Sequence, residues 1–239
     1  MTKQFWAIII VAVAVLIGVF AFTGHKQNTS SSSVQPSNHV TGQGQKHVTL
    51  VEYGDFECPV CESYEPTVSQ VRQQYAQDIT FQFRNFPLTS IHPNAFAGAR
   101  AAEAAALQGK FWEMHDALYA AQNWQQWSTS SDPTPYFNQY AQSIGLNVAK
   151  FKQDFASDQV NNQVNADLAQ ANKLNLNGTP TFFLDGKQLD NAQLADANGP
   201  SLSKFQQLIN AEIAKKNPSS PNPTSSGTTT STTTSPAAQ

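Results

Sequence analysis

The chain has two cysteines, Cys58 and Cys61, separated only by Pro59 and Val60. That spacing limits what can hold the fold. A disulfide between them closes a loop too short to restrain much unfolded chain. The 239-residue chain must therefore be held by an apolar core, and 40% apolar content is enough for one. Two cysteines exclude a disulfide-dense scaffold. They also exclude a four-cysteine zinc or iron–sulfur site within one chain. Charged residues are 13% of the chain and the net charge is −3, so there is no basic stripe for nucleic acid.

The position of the pair says more than its number. HVTLVEYGDF (47–56) has strand character, with Val48, Leu50 and Glu52 alternating with Thr49, Val51 and Tyr53. CPVCESYEPTVSQVRQQYAQ (58–77) reads as a helix; Pro59 is tolerated in its first turn, and Pro66 is expected to kink it. DITFQFRNF (78–86) alternates again, which makes a βαβ unit with a parallel strand pair. The dithiol thus opens a helix directly after a strand. The free N–H groups and dipole of a helix start favour a thiolate over a thiol, so Cys58 is expected to ionise below the free value of about 8.5. Cys58 is read as the exposed attacking sulfur and Cys61 as the shielded, resolving one. A weak structural disulfide and half of a metal site remain as alternatives. The histidines at 25, 39, 47, 92 and 115 have no ligand spacing to the pair, and neither metal nor cofactor is expected.

From His92 the texture becomes helical. The segments 93–108, 110–121, 133–145 and 147–175 have helical periodicity, and Gly145 is a stop signal. His92-Pro93 reads as a helix start. Trp112, Trp124 and Trp127 read as packing residues. NGTPTFFLDGKQL (177–189) gives a turn, a strand, an Asp-Gly hairpin turn and a second strand. Pro180, at a strand start after a glycine turn, is a suitable place for a cis bond. Residues 201–216 form a closing amphipathic helix. The order is βαβ, helical block, ββα.

The ends differ from this region. Phe5 to Phe22 is an uncharged 18-residue apolar run, roughly 27 Å long as a helix. It is longer than a signal-peptide core and lacks a good cleavage site, so residues 1–24 are read as a signal anchor, with a cleaved signal as the alternative. Residues 25–46 are polar and are read as a flexible linker, and 216–239 as a disordered Ser/Thr/Pro tail. These assignments place the protein in a membrane as a single-pass chain, with residues 47–215 exported.

The stretches VEYGDFECPVCESYEPTV, FQFRNFPL, HPNAFAGARAAEAA, GKFWEMHDALYA and GTPTFFLDGK resemble the DsbA-like family, in its membrane-anchored or secreted bacterial branch. The resemblance spans 47–215. It implies an α/β thioredoxin fold with an inserted helical domain at about 90–175, and thiol–disulfide oxidoreductase activity. It implies that Pro180 is cis and faces the dithiol, with Thr179, Pro59 and Val60 contacting substrate. It favours a buried Glu52 that exchanges a proton with Cys61. The implied partners are reduced exported proteins and a membrane re-oxidase of the DsbB or VKOR type. The family's strongest oxidants carry His where this chain has Val60, so a weaker oxidant is expected. A reductase or isomerase, or a peptide-binding chaperone without redox chemistry, are the other functions considered.

Overall fold

The computed structural model describes residues 34–218. The apolar run, its assignment as an anchor and nearly all of the tail lie outside the described residues. Among the described residues no helix is long and apolar enough to cross a membrane.

Strand β2 (Val48–Gly54) and strand β3 (Ile79–Asn85) pair in parallel through helix α1 (Pro59–Gln74). Their burial alternates or is complete, as the sequence pattern requires. Helix α1 continues through Pro66 as one element. Strand β4 (Thr181–Leu184) pairs antiparallel with β2, and β5 (Lys187–Gln188) extends the hairpin. The Asp185-Gly186 turn has φ of 49° and 79°, which fits a type I′ hairpin. A closing helix, α8 (Leu202–Lys216), buries Phe205 and Ile209.

Between β3 and β4 lie six helices. They are α2 (Ala95–Ala106), α3 (Phe111–Tyr119), α4 (Ala121–Ser128), α5 (Thr134–Ser143), α6 (Val148–Phe155) and α7 (Asp158–Lys173). The segment read as one helix at 110–121 stops at Tyr119, and a separate Gln- and Trp-rich α4 follows. Pro93 precedes the first helix of the block rather than opening it, because Asn94 is the N-cap. Gly145 ends α5 with φ of 78°: its N–H reaches the Gln142 carbonyl and the Leu146 N–H reaches Ala141, a Schellman closure. One apolar core joins the sheet and the block, from Leu50, Phe83 and Phe182 to Trp127, Phe137 and Phe151.

The linker reading fails for the part that is described. Residues His39–Thr41 form strand β1 on the outer edge of β3, giving the sheet order β1-β3-β2-β4-β5. The low apolarity of this segment does not leave it loose, because it is held by polar pairing. Ser37 is buried and gives both its N–H and its hydroxyl to Asp167, at 2.6 Å each. His39 meets Glu103 at 2.8 Å and stacks on Phe111 at 3.6 Å. Residues 43–46 then bond the carbonyls of residues 76–79. Gly42, at φ of 86°, passes so close that a Cβ would lie 2.3 Å from the Ile79 carbonyl. A further ribbon, β6 (Ala195–Asp196) with β7 (Gly199–Pro200), is too short to show a periodicity.

Candidate active site

Cys58 is the N-cap of α1, with Pro59 in the first turn. Both cysteines are thiols. The expected order of exposure holds in rank only. Cys58 is 5% exposed and Cys61 1%, so the attacking sulfur is nearly covered rather than open. Pro59 and Val60 are exposed beside it.

The two thiols are driven in opposite directions. Cys58 is lowered to about 6, first by the hydrogen bond from the Cys61 thiol. Burial works against this, while Thr179 and the N–H groups of Cys61 and Val60 add to the lowering. The helix start contributes, but the partner sulfur contributes more. Burial pushes Cys61 well above its ordinary value, and Cys58 and Glu52 push it further.

Glu52 lies on the central strand, in register with Phe83 on one side and Phe182 on the other. It is 2% exposed and its Oε2 has no partner. Burial raises its carboxyl well above the carboxylate range, Glu65 raises it further, and Arg72 opposes. The strand above it is cut close: a Cβ on Gly54 would lie 2.5 Å from the Phe83 ring and 3.3 Å from the Glu52 Oε1.

On the other side, the Thr179–Pro180 peptide bond is cis. The Cys58 Sγ lies 3.5 Å from the Thr179 carbonyl, so the proline turn faces the dithiol. A groove of about 500 Å³ runs along residues 177–181 and 188–191. Asn191 ties its two walls together. Its side chain donates to the Pro180 carbonyl at 2.9 Å, and its own carbonyl accepts from Tyr64 of α1 at 3.4 Å. Nothing in the sequence pattern marked Asn191, which lies eleven residues past Pro180 in a 3-10 turn (Asn191–Gln193).

The family model described as Thioredoxin matches residues 34–204. The chain belongs to this thioredoxin family. The fold is shared with a thioredoxin-like oxidoreductase from Silicibacter pomeroyi, at TM-score 0.58 and 24% identity over 74% of this chain and 92% of that one. It is shared also with oxidised BdbD from Bacillus subtilis, at TM-score 0.62 and 22% identity over 76% and 97%. In sequence, the chain is 41% identical over 153 residues to Na(+)/H(+) antiporter NhaA 1 of Mycolicibacterium gilvum, covering 63% of this chain. The chain spans about a quarter of that curated relative's length (24%).

Within this thioredoxin-family site, Glu65, His115 and Asp116 bring ligand atoms within 4.8 Å of one another, as a metal site does. A cation already sits among them. Arg72 donates to Glu65 at 2.7 Å and to Asp116 at 2.8 Å. The cluster is the charge cage of a guanidinium, and Arg72 in turn opposes the raised value of Glu52. Tyr119 lies on the same side: burial, then Cys61 and Glu52, raise its hydroxyl well above its ordinary range. Arg72 stands further along the helix that carries the cysteines, and only the fold brings Asp116 and Tyr119 of α3 to the same side.

Proposed function

We propose that the chain is an extracytoplasmic, membrane-anchored thiol–disulfide oxidoreductase that forms disulfides in exported proteins through Cys58 and Cys61. In the oxidised state a substrate thiolate attacks the Cys58 sulfur. The bond to Cys61 breaks, and Cys61 leaves with the electron pair. Burial makes it take a proton at once, and Glu52, whose carboxyl is raised by burial well above the carboxylate range, is the group that gives one. The second substrate thiolate then attacks the substrate sulfur of the mixed disulfide. Cys58 leaves as a thiolate, which is stable at neutral pH because its value is about 6. The substrate is oxidised by two electrons, which remain on the reduced pair until a membrane re-oxidase of the DsbB or VKOR type removes them. The groove along Thr179 and Pro180 holds the substrate chain, and the exposed Pro59 and Val60 give it a further contact.

The observation that carries the reading is the opposed pair: a readily ionised Cys58 over a buried, reluctant Cys61. Stabilising the Cys58 thiolate stabilises the reduced form, which favours giving the disulfide away. The value of about 6 lies between about 3.5 for DsbA and about 7 for thioredoxin. The reduction potential is therefore expected between about −120 and −270 mV, weaker as an oxidant than DsbA, in line with Val60. The folded value is below the unfolded one. The stabilisation of the reduced protein is thus complete above the unfolded value and is lost as pH falls through about 6. Titration against glutathione tests the direction. A potential at or below that of thioredoxin supports the reductase instead. The groove also suits a chaperone that holds peptides without chemistry. Oxidative refolding of a reduced substrate that is unchanged by Cys58→Ala supports that reading and overturns this one.

A further inference from the structure

Three residues, Asp55, Phe56 and Glu57, connect the end of β2 to Cys58. Each is tied by a polar group to a different residue beyond β3. The Asp55 carboxylate is buried. Its Oδ1 accepts from the Glu57 N–H, closing a tight turn, and its Oδ2 accepts from the Leu88 N–H at 2.9 Å and meets the His92 Nδ1 at 2.7 Å. The Phe56 carbonyl accepts from the Trp124 indole N–H at 2.8 Å. The Glu57 carboxylate accepts from the Asn94 N–H. Asn94 is itself fixed, donating to the carbonyls of Trp127, Ser128 and Ser130. The Cys58 N–H is then bonded back to the Asp55 carbonyl at 3.0 Å.

We propose that His92 and Trp124 are positioning residues for Cys58: from the helical block they hold the Asp55–Glu57 turn that presents this sulfur at the start of α1. The inference rests on the exchange chemistry proposed above. The N–H groups and dipole of a helix start support a thiolate at the N-cap only while the N-cap backbone stays in place. That backbone continues directly from the staked turn. Releasing one stake lets Cys58 sample positions away from the Val60 and Cys61 N–H groups, and the thiolate loses part of its support. The helical block thereby sets the reactivity of a cysteine that belongs to the sheet-and-helix frame. This gives His92 and Trp124 a role beyond helix initiation and packing.

The test compares Trp124→Phe, which keeps an aromatic ring and removes the N–H, with the parent. Thiolate absorbance against pH and equilibrium with glutathione are read on the same samples. Gln126→Ala, on the exposed side of α4, is the control. The expected result is a Cys58 midpoint raised by about half a unit, about threefold in its ionisation constant, and a shift in the glutathione equilibrium toward the protein disulfide. His92→Ala is expected to move both readings the same way, and His92→Asn, whose amide can still donate to Asp55, to restore them. This second pair decides the matter if Trp124→Phe does not fold. Variants whose midpoint and equilibrium match the parent overturn the positioning role, even when they melt earlier. A parent that does not equilibrate with glutathione at all sinks the exchange reading, and this proposal with it.

Discussion

Two halves of this molecule meet at Cys58, and they are held together by different means. The frame of β2, β3, β4, α1 and α8 is an apolar sandwich built from alternating strands and a striped helix. The helical block shares the apolar core, but its seam with the frame is sewn by buried polar groups. Asn85, fully buried at the end of β3, donates its amide to Glu103 of α2 at 2.6 Å and to Asp167 of α7 at 3.0 Å. Asp167 also binds Ser37, ahead of β1. Apolar contact fixes that two halves adhere. Directional hydrogen bonds fix where they do, and a reactive sulfur at the seam depends on where.

The largest expected effect belongs to the frame. Cys58→Ser is expected to abolish exchange with glutathione and with substrate. Cys61→Ser is expected to leave a protein that stalls as a mixed disulfide through Cys58, visible by mass. If Cys61→Ser keeps full turnover, the resolving role of the shielded sulfur is wrong, and the frame does not hold the chemistry in a pair.

Next in size is the seam. Asp167→Ala removes a carboxylate that four donor groups of Ser37 and Asn85 share, and leaves those donors buried. The expected cost is about 3–5 kcal/mol in urea unfolding. The Cys58 titration midpoint is expected to stay at about 6, because Asp167 ties β1 and β3 rather than the 55–57 turn. A shifted midpoint would mean that the seam acts on the site as one unit and not through separate stakes.

Much of the frame was legible in the sequence because its signals are local. Alternation marked β2 and β3, Asp185-Gly186 marked the hairpin, and two cysteines at a strand-to-helix junction marked the site. The seam was not legible, and the reason is physical. A buried Asn or Asp looks in sequence like a loop residue until the fold supplies its partner. The β1 segment read as linker because nothing in Ser37 or His39 announces Asp167 or Glu103. The Gln- and Trp-rich α4 had no clear apolar stripe, and Trp124 packs against the core as its sequence reads, but nothing local announces that its indole N–H finds the Phe56 carbonyl 68 positions away. Glu52 lies between the two cases: alternation and the family resemblance together put it on the buried face, while the Arg72 guanidinium that acts on it, caged by Glu65 and Asp116, required three dimensions.

That cage allows a smaller test. Glu52→Gln keeps the volume and removes the titrating proton. Proton transfer to and from Cys61 is expected to slow by about a hundredfold, seen in the resolution of a mixed disulfide followed by stopped flow. Stability is expected to hold or fall, since the amide brings N–H donors into a buried site where the carboxyl already has an unpartnered oxygen. Unchanged resolution would leave Glu52 a bystander between two phenylalanines.

The smallest effect separates two kinds of helix start within the block. Helix α6 is capped by its own chain: the Asn147 side chain accepts the Lys150 N–H at 3.0 Å. Helix α2 has no such cap from Asn94, and the carboxylate at its start comes from Glu57, the neighbour of Cys58. Asn147→Ala is expected to cost about 1 kcal/mol in urea unfolding and to leave thiol ionisation untouched. The same loss of a cap at α2, made by Glu57→Ala, is expected to register in both measurements, because one end of that hydrogen bond belongs to the turn that carries the sulfur. If both variants cost only stability, helix capping and sulfur placement are independent in this fold, and the block is a lid resting on the frame rather than a part of its chemistry.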